Sequence, residues 1–231
     1  TILEIASPMK VVFHRAFDVI PNPFIALEQL IDLGVDTILT SGQKETAFQG
    51  FFRITRMVVS HRLFGGGWSA PLKRELFQRG DAVGVLLYDP RRHLIGLVEQ
   101  FRVGAMQDQF GPWQYEVVAG MIGPEESPVE VATRECQEEA GIEVENLIPI
   151  CNYLVSAGGT DEKMHMYCGL VDLEGREGVF GLETEGEDIL LQVWPYDEVM
   201  QAQSEGLLNS AAVTVALSWL QLNSQNLRNR P

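Results

Sequence analysis

The spacing of hydrophobic residues changes along the chain and predicts a β-rich main part. From about residue 48 onward, apolar residues alternate with polar ones or form runs of strand length, such as AVGVLLY at 82–88. Alternation is typical of half-buried strands, and short continuous apolar runs are typical of fully buried strands. Asp89-Pro90-Arg91-Arg92 separates two such runs and predicts a hairpin turn. Further strands are predicted near 113–119, 147–155, 165–171 and 188–195.

Helical signals appear at three places after residue 120. Ser127-Pro128-Val129-Glu130 combines a capping box with proline at the first helical position, and Gly141 stands where a C-terminal glycine belongs. These signals predict a helix of about 13 residues, with Val129, Ala132 and Cys136 on its packed side. A second helix is predicted near Asp197. A third is predicted over about 209–222, with a packed side formed by Ala212, Val215, Ala216, Trp219 and Leu220.

The first 43 residues have a different pattern. A buried strand is predicted at 11–13, and a second strand is predicted in VDTILTSG at 35–42. Between these two strands the apolar residues have helical spacing, and the order strand, helix, strand predicts a βαβ unit with parallel strands. The whole chain is therefore predicted to have a mixed α/β (α+β) fold. The helical signals are Asn22 and Pro23 at the start, Leu27, Leu30 and Ile31 as an apolar stripe, and Gly34 at the end.

Composition and charge restrict the classes of function. The 231 residues are 45% hydrophobic and 21% charged, which predicts a globular chain with a substantial core. The net charge of −15 argues against nucleic-acid binding, which needs a basic face. No apolar run approaches the roughly 18 residues of a membrane span, so no membrane partner is expected. Three widely spaced cysteines, Cys136, Cys151 and Cys168, predict reduced thiols and a cytoplasmic location.

The helix predicted after Ser127 carries an acidic turn. Glu135, Glu138 and Glu139 are spaced i, i+3 and i+4 and therefore share one face. The segment 125–145 is rich in acids, and its one basic residue is Arg134, so lysines do not relieve the repulsion. The residues alone leave two interpretations open. One is a solvated helix face, and the other is a site for a hard divalent cation, which prefers oxygen ligands.

The spacing of residues around this turn resembles a family signature. The Nudix hydrolase pattern is GX5EX7REUXEEXGU, where U is a bulky aliphatic residue, and residues 120–142 match it with Cys136 as the one soft match. Seven fixed residues would coincide by chance about once in 10⁸ starting positions, so the resemblance is specific. The matching residues are Gly120, Glu126, Arg134, Glu135, Glu138, Glu139 and Gly141.

The Nudix resemblance implies a fold and a chemistry. The implied fold is an α/β/α sandwich with an antiparallel N-terminal sheet, here preceded by the βαβ segment. The implied chemistry is Mg²⁺-dependent hydrolysis of a nucleoside diphosphate linked to another moiety, with Mn²⁺ as an alternative metal. The implied metal ligands are Glu135, Glu139 and the carbonyl of Ala119. Glu138 and Arg134 are implied to be catalytic, Arg134 by orienting the carboxylates.

From about residue 48 to the C-terminus, the chain resembles the bacterial ADP-ribose pyrophosphatases. The similar stretches include RELFQRGDAV, LVEQFRVGA, WQYEVVAGMI and SAGGTDE. The resemblance implies that Arg102 contacts a phosphate, and that Phe51 and Arg74 sandwich the adenine by stacking and cation–π contact. Glu75 and Glu162 are implied to accept hydrogen bonds from the base or the ribose. In this group the adenine site comes from paired subunits, so a homodimer is implied.

Two further features bear on the base and the substrate. The stretch ETEGED at 183–188 is typical of a solvated acidic loop, but the resemblance implies that one glutamate acts as base, with Glu185 aligned best and Glu187 in reserve. Members specific for ADP-ribose usually have proline where this chain has Ala157. The predicted activity is hydrolysis of ADP-ribose or a related ADP-sugar to AMP and a sugar phosphate. The alternatives are a pyrophosphatase for GDP-mannose or another nucleotide sugar, and a non-catalytic nucleotide-binding module.

The N-terminal pattern resembles part of a second family. MKVVFHRAFD and NPFIALEQLIDLGVDTILTSGQK are similar to CutC-family copper homeostasis proteins, which are β/α-barrels. One βαβ unit cannot close a barrel or cover both faces of its strands, so we interpret it as a fusion remnant. The predicted segments are 1–47, the CutC-like remnant; 48–80, a β-rich dimerisation region; and 81–231, the Nudix hydrolase domain.

Overall fold

A computed structural model of the protein describes residues 12–13, 25, 29–30, 37–38, 53–182, 184 and 186–229. The chain divides into two units. One unit comprises Thr1–Arg79 with Gly158–Thr160, and the other comprises Gly80–Ala157 with Asp161–Pro231. Each unit contains its own β-sheets.

The first unit contains two small sheets. Strand β1 (Val12–Phe13) pairs in parallel with β2 (Thr37–Ile38), as the βαβ pattern predicts, and Leu30 between them is helical and buried. Strands β3 (Arg53–Val59) and β4 (Leu72–Gln78) form an antiparallel pair. The other helical signals of this segment, Asn22, Pro23, Leu27, Ile31 and Gly34, lie outside the described residues.

The second unit is built on an eight-stranded mixed sheet. Its strands are β5 (Ala82–Asp89), β6 (Leu94–Phe101), β7 (Trp113–Glu116), β8 (Val118–Met121), β9 (Asn146–Leu154), β10 (Lys163–Leu170), β11 (Gly178–Phe180) and β12 (Ile189–Pro195). They lie in the order β11-β12-β6-β5-β10-β9, with β7 paired to β6 and β8 paired to β5. Strands β5 and β10 pair in parallel, and the other pairs are antiparallel.

Helices cover both faces of this sheet. They are α1 (Pro128–Ala140), α2 (Tyr196–Ser204) and α3 (Ala211–Arg228). Side chains of β5 alternate between two cores, because Val83 and Val85 pack with α1, whereas Leu86 and Tyr88 pack with α2 and α3. The predicted α/β/α sandwich is therefore confirmed. Among the described residues, no helix is long and apolar enough to cross a membrane.

The predicted hairpin turn is confirmed between β5 and β6. The buried carboxylate of Asp89 accepts hydrogen bonds from the backbone N–H groups of Arg91, at 2.9 Å, and Arg92, at 3.1 Å. It also accepts one from the backbone N–H of Leu173, at 3.3 Å. One acidic side chain therefore fixes this turn and joins it to the segment after β10.

Two predicted helix faces are partly wrong. Val129 was expected on the packed side of α1 but is 51% exposed, whereas Ala132 and Cys136 are buried as predicted. Helix α3 extends to Arg228 and also buries Val213 and Leu217, which were not predicted. Ala216 and Leu220 are buried as predicted, and Ala212 and Trp219 are partly buried and pack against the same core. The fully buried stripe at i, i+3, i+4 and i+7 therefore begins at Val213.

Two strand predictions also differ from the structure. The stretch 113–119 forms two strands, since Val117 separates β7 from β8 and each pairs with a different neighbour. The short edge strand β11 has no counterpart among the predicted strands. Three residues with a single buried face carry too little alternation to be recognised in a sequence.

Candidate active site

Both ends of helix α1 are fixed. The Ser127 side chain accepts a hydrogen bond from the backbone N–H of Glu130, and the Glu130 carboxylate accepts one from the backbone N–H of Ser127 at 2.9 Å. Gly141 ends the helix in the left-handed conformation, with φ of 63°. A Cβ at Gly141 would lie 2.5 Å from Cε1 of Phe180, so packing also demands glycine here. The acidic turn is therefore held at a defined rotation against the sheet.

Glu139 is buried between α1 and β8. Its residue is 3% exposed, and its Oε2 accepts a hydrogen bond of 2.9 Å from the backbone N–H of Ala119. Burial raises the pKa of Glu139 to about 8, although the hydrogen bond from Ala119 opposes the shift. The charges of Glu135 and Glu187 raise this pKa further. A cation beside this carboxylate would offset the cost of burying its charge.

Glu135 lies directly against the backbone of β8. A Cβ added to Gly120 would be 1.8 Å from Oε1 of Glu135, so only glycine leaves room for this carboxylate. Burial raises the pKa of Glu135 to about 7, while Arg134 opposes the shift. The first glycine of the sequence pattern therefore has a steric reason, which is the close approach of the helix carboxylate to the strand.

Arg134 connects the acidic side chains. Its Nη1 lies 2.9 Å from Oε1 of Glu135 and donates a hydrogen bond of 2.8 Å to Oε2 of Glu138. Its Nε lies 3.6 Å from Oε1 of Glu126. Glu126 in turn accepts a hydrogen bond of 2.8 Å from the backbone N–H of Gly123, in the loop before the helix. One guanidinium thus fixes the directions of three carboxylates and ties the loop to the helix.

Arg102 directly follows β6 and continues its alternation. Val98 packs in the core beneath α1, and Gln100 and Arg102 follow it at two-residue intervals on the same face. Nε of Arg102 donates a hydrogen bond of 2.7 Å to Oε2 of Glu116 on β7, and Nη2 lies 2.7 Å from the same oxygen. The positive charge of Arg102 lowers the pKa of Glu139, so the guanidinium lies within electrostatic range of the acidic turn.

Comparison with known proteins agrees with this arrangement. Residues 78–212, more than half of the chain, match the model of the NUDIX domain. The chain belongs to the Nudix family. A relative from Escherichia coli (strain K12), named ADP-ribose pyrophosphatase, is 41% identical over 186 residues, which are 80% of this chain and 89% of the relative. A solved structure described as an ADP compounds hydrolase has a TM-score of 0.54 at 20% identity, covers 78% of this chain and 92% of its own, and shows the Nudix fold alone.

The N-terminal resemblance is also confirmed. Residues 1–70 match the CutC family model, which extends past the boundary predicted at residue 47. A CutC family protein of Pectobacterium atrosepticum is 51% identical over 61 residues. These residues are 26% of this chain but 24% of that protein, so the chain carries about a quarter of a CutC protein ahead of its Nudix domain.

The acidic loop after β11 contributes one described glutamate. Glu187 accepts a hydrogen bond of 3.0 Å from the backbone N–H of Leu182. Its charge raises the pKa values of Glu135 and Glu139, so it lies within electrostatic range of the Nudix glutamates. Glu185, the preferred base, lies outside the described residues.

The predicted substrate-binding residues are distributed over both units. Glu162 directly precedes β10 in the Nudix unit and is 6% exposed. Arg74 and Glu75 lie on β4 of the first unit, where Glu75 forms an exposed ion pair of 3.0 Å with Arg56 on β3. Phe51 lies outside the described residues.

The donors of the Nudix helix fit a hard divalent cation. Within the described ranges, no group of three His, Cys, Asp or Glu side chains is gathered around one point. Arg134 contacts Glu135, and the Ala119 N–H donates to Glu139. All of the candidate donors are nevertheless oxygens, as Mg²⁺ and Mn²⁺ prefer. Glu139 is buried, and the carboxylate of Glu135 occupies the position that a Cβ at Gly120 would take.

Sequence reasoning did not single out Glu116. The residue is a partly buried acid inside the apolar stretch WQYEVVAG, four residues before the first signature glycine. An acid at such a position in a predicted strand needs a partner, and this requirement is the signal that could have identified it.

Proposed function

We propose that the protein hydrolyses the pyrophosphate bond of ADP-ribose, giving AMP and ribose 5-phosphate. The observation that carries this proposal is the pair Glu135 and Glu139, held against the backbone of Gly120 and Ala119. The proposed substrate follows the name of the Escherichia coli relative, which is similar over 89% of its length. A related ADP-sugar is the nearest variation on this substrate.

Mg²⁺ is the proposed cofactor, and Mn²⁺ suits the same oxygen donors. The carboxylates of Glu135 and Glu139, with the carbonyl of Ala119, would hold it. When bound, the cation would polarise a phosphoryl oxygen and lower the pKa of a water molecule. Arg134 supports this role because its ion pairs of 2.9 Å and 2.8 Å fix Glu135 and Glu138.

Other residues have proposed roles in binding and proton transfer. Arg102 would bind a phosphate through the N–H groups that Glu116 does not use, and buried Glu162 would accept a hydrogen bond from the base or the ribose. A loop glutamate would accept the proton of the attacking water. Glu185 is the proposed base, and Glu187 is the alternative because its charge reaches Glu135 and Glu139.

A homodimer in the cytoplasm is proposed as the working state. The hairpin of β3 and β4 exposes Ile54, Met57 and Val58, and an isolated two-stranded sheet is marginally stable by itself. Residues 48–80 would therefore pair with a second copy and bring Phe51, Arg74 and Glu75 to the adenine. The free thiols of Cys136, Cys151 and Cys168 support a reducing compartment. Light scattering after gel filtration should give twice the chain mass.

The activity is tested with purified protein, Mg²⁺ and a panel of ADP-ribose, ADP-glucose and GDP-mannose. We expect the highest kcat/KM with ADP-ribose, and chromatography should detect AMP and ribose 5-phosphate in equal amounts. If kcat/KM for GDP-mannose is more than about tenfold above that for ADP-ribose, GDP-mannose becomes the proposed substrate. Ala157 gives a reason to test this alternative, because members specific for ADP-ribose usually have proline at this position. The absence of any product would favour a non-catalytic binding module.

Two variants separate catalysis from folding in this assay. Glu139→Gln keeps the size of the side chain but removes the charge, and should lower kcat/KM by about 10³-fold. Glu143→Gln is the matched control, because Glu143 is an exposed acid just after the same helix. Equal activity of the two variants would contradict the role of Glu139.

Deletion of residues 1–47 tests the interpretation of a fusion remnant. The shortened chain should keep its kcat/KM and its dimer mass, because the proposed dimerisation region and the Nudix domain are intact. Loss of folding or of the dimer would show that the CutC-like segment is structural.

A further inference from the structure

The ion pair between Arg102 and Glu116 crosses two strands diagonally. In the register of β6 and β7, Val98 lies opposite Glu116 and Phe101 lies opposite Trp113. Arg102 directly follows the paired residues and lies four residues along the chain from Val98, which stands in the row of Glu116. The Arg102 side chain must extend back along the sheet to place Nε and Nη2 2.7 Å from one Glu116 oxygen.

The Arg102 side chain extends toward the acidic turn. One residue separates Glu116 from β8, and β8 carries Ala119 and Gly120, against which Glu139 and Glu135 lie. Drawing the guanidinium toward Glu116 therefore draws it toward the acidic turn. The backbone of Arg102 is also fixed, because its N–H donates a hydrogen bond of 2.7 Å to the carbonyl of Pro112.

The pair leaves part of the guanidinium available. Glu116 engages the edge formed by Nε and Nη2, and the structure shows no other acceptor for the Arg102 side chain among the described residues. A guanidinium has five N–H donors, so the edge that includes Nη1 can still donate to an anion. The Arg102 side chain is 43% exposed and that of Glu116 is 19% exposed, so a ligand can reach the arginine.

We propose that Glu116 is a positioning residue, which holds Arg102 so that the free edge of its guanidinium meets a phosphate of the substrate. This inference rests on the proposed function, in which a nucleoside diphosphate binds beside Glu135 and Glu139. An arginine without this partner would sample many rotamers and would lose that entropy when the phosphate binds. The pair also satisfies the partly buried carboxylate of Glu116, and the readouts below separate that structural role from positioning.

A double-mutant cycle tests the proposal. The variants are Arg102→Ala, Glu116→Gln and the double variant, and kcat and KM are measured for each with ADP-ribose. We expect Arg102→Ala to lower kcat/KM by about 100-fold and Glu116→Gln by about tenfold. In the background of Arg102→Ala, Glu116→Gln should change kcat/KM by less than twofold, because there is no guanidinium left to position.

Two controls exclude a structural explanation. Glu116→Asp should recover part of the loss of Glu116→Gln, since it restores a carboxylate with a shorter reach. Asp172→Ala removes a carboxylate from another arginine, Arg92, at 3.1 Å, and should leave kcat/KM unchanged. A tenfold loss from Glu116→Gln that persists in the Arg102→Ala background would overturn the proposal. So would tighter substrate binding by Glu116→Gln, because Glu116 would then compete with the phosphate.

The proposed function is judged separately by the wild-type protein. If it hydrolyses another nucleotide sugar but not ADP-ribose, the proposed function is refuted. The double-mutant cycle is then measured with that substrate, which contains the same diphosphate. Calorimetric titration with α,β-methylene ADP provides a readout without turnover, and Glu116→Gln should weaken binding by about tenfold. If the wild-type protein binds this nucleotide and the variant binds it equally well, the positioning role is refuted. If the wild-type protein does not bind it, the positioning role also fails, whereas hydrolysis of ADP-ribose alone decides the proposed function.

Discussion

Substitution of Gly120 by alanine would act on the site through a single collision. The new Cβ would be 1.8 Å from Oε1 of Glu135 and 2.1 Å from its Cδ. To return Oε1 to an ordinary contact of about 3.4 Å, the carboxylate must move by about 1.6 Å. That movement also breaks its 2.9 Å contact with Nη1 of Arg134. A misplacement of about 1 Å can cost about 100-fold in rate, so kcat/KM should fall by at least this factor, or about 2.7 kcal/mol.

The collision should affect stability much less than activity. The side chain of Glu135 is 12% exposed and ends in a flexible carboxylate, so it can rotate toward solvent. We expect a loss of about 1 kcal/mol, or about 3 °C in Tm. The assay is kcat/KM for ADP-ribose with Tm from differential scanning fluorimetry. Gly65→Ala is the matched steric control, because a Cβ at Gly65 meets nothing within 4 Å in the chain, and it should keep the wild-type Tm.

Removal of the colliding carboxylate tests the cause directly. In the background of Glu135→Ala, Gly120→Ala should no longer lower Tm, because the three atoms nearest to the new methyl group, Oε1, Cδ and Cγ of Glu135, are absent. If Gly120→Ala keeps more than about one third of wild-type kcat/KM, the position of Glu135 does not govern the reaction. If Tm falls equally in both backgrounds, the strain lies in the strand, and the steric reason given for this glycine is wrong.

Three further predictions concern charge and stability. In protein treated with a chelator, burial raises the pKa values of Glu135 and Glu139 to about 7 and about 8, above unfolded values near 4.3. The fold therefore favours the protonated carboxyls, and the stability that they contribute at low pH is lost as pH rises toward 8. The Tm of the wild-type protein, relative to that of Glu139→Gln at the same pH, should therefore fall by about 5 °C or more between pH 5 and pH 8, and Mg²⁺ should reverse this fall. A Tm difference that does not change with pH would contradict the prediction. Arg134→Ala should lower kcat/KM by at least about tenfold, with partial recovery in Arg134→Lys, because Glu135 and Glu138 lose their shared partner. Asp89→Ala should cost about 3 kcal/mol in the free energy of unfolding, measured with urea, with kcat/KM per folded molecule unchanged, because three backbone N–H groups lose their acceptor.

The elements that sequence predicts best are those with a local physical cause. The capping box at Ser127 and the glycine at 141 set both ends of α1, and the observed bounds Pro128–Ala140 match the predicted length of the helix. The turn after Asp89 is local in the same sense, since its carboxylate bonds to N–H groups two and three residues later. The face of α3 was predicted less well, because its rotation depends on the sheet surface that it covers and not on its own spacing.

The candidate site likewise contains a part that local sequence predicts and a part that depends on tertiary contacts. The Nudix pattern lies within one loop and one helix, so its residues meet through local geometry, and Glu135, Glu138 and Arg134 are neighbours by helical spacing alone. The burial of Glu139 could not be predicted from the helix, whose charged face was expected to be solvated or to bind metal as one surface. It depends on β8 passing close enough for Ala119 to donate a hydrogen bond.

The pair of Arg102 and Glu116 depends on long-range strand pairing and could not be predicted from local sequence. Its two members meet because β6 and β7 pair in one register, and a shift by a single residue would turn Glu116 to the opposite face. Hydrophobic alternation predicts both strands but cannot choose the register. The signature turn is a local structure that any member with this pattern would form, so it cannot by itself separate ADP-ribose from GDP-mannose. The contacts that position the phosphates come from strand pairing and reach the diphosphate that both substrates share. Changes at Arg102 and Glu116 should therefore lower kcat/KM for ADP-ribose and for GDP-mannose by similar factors.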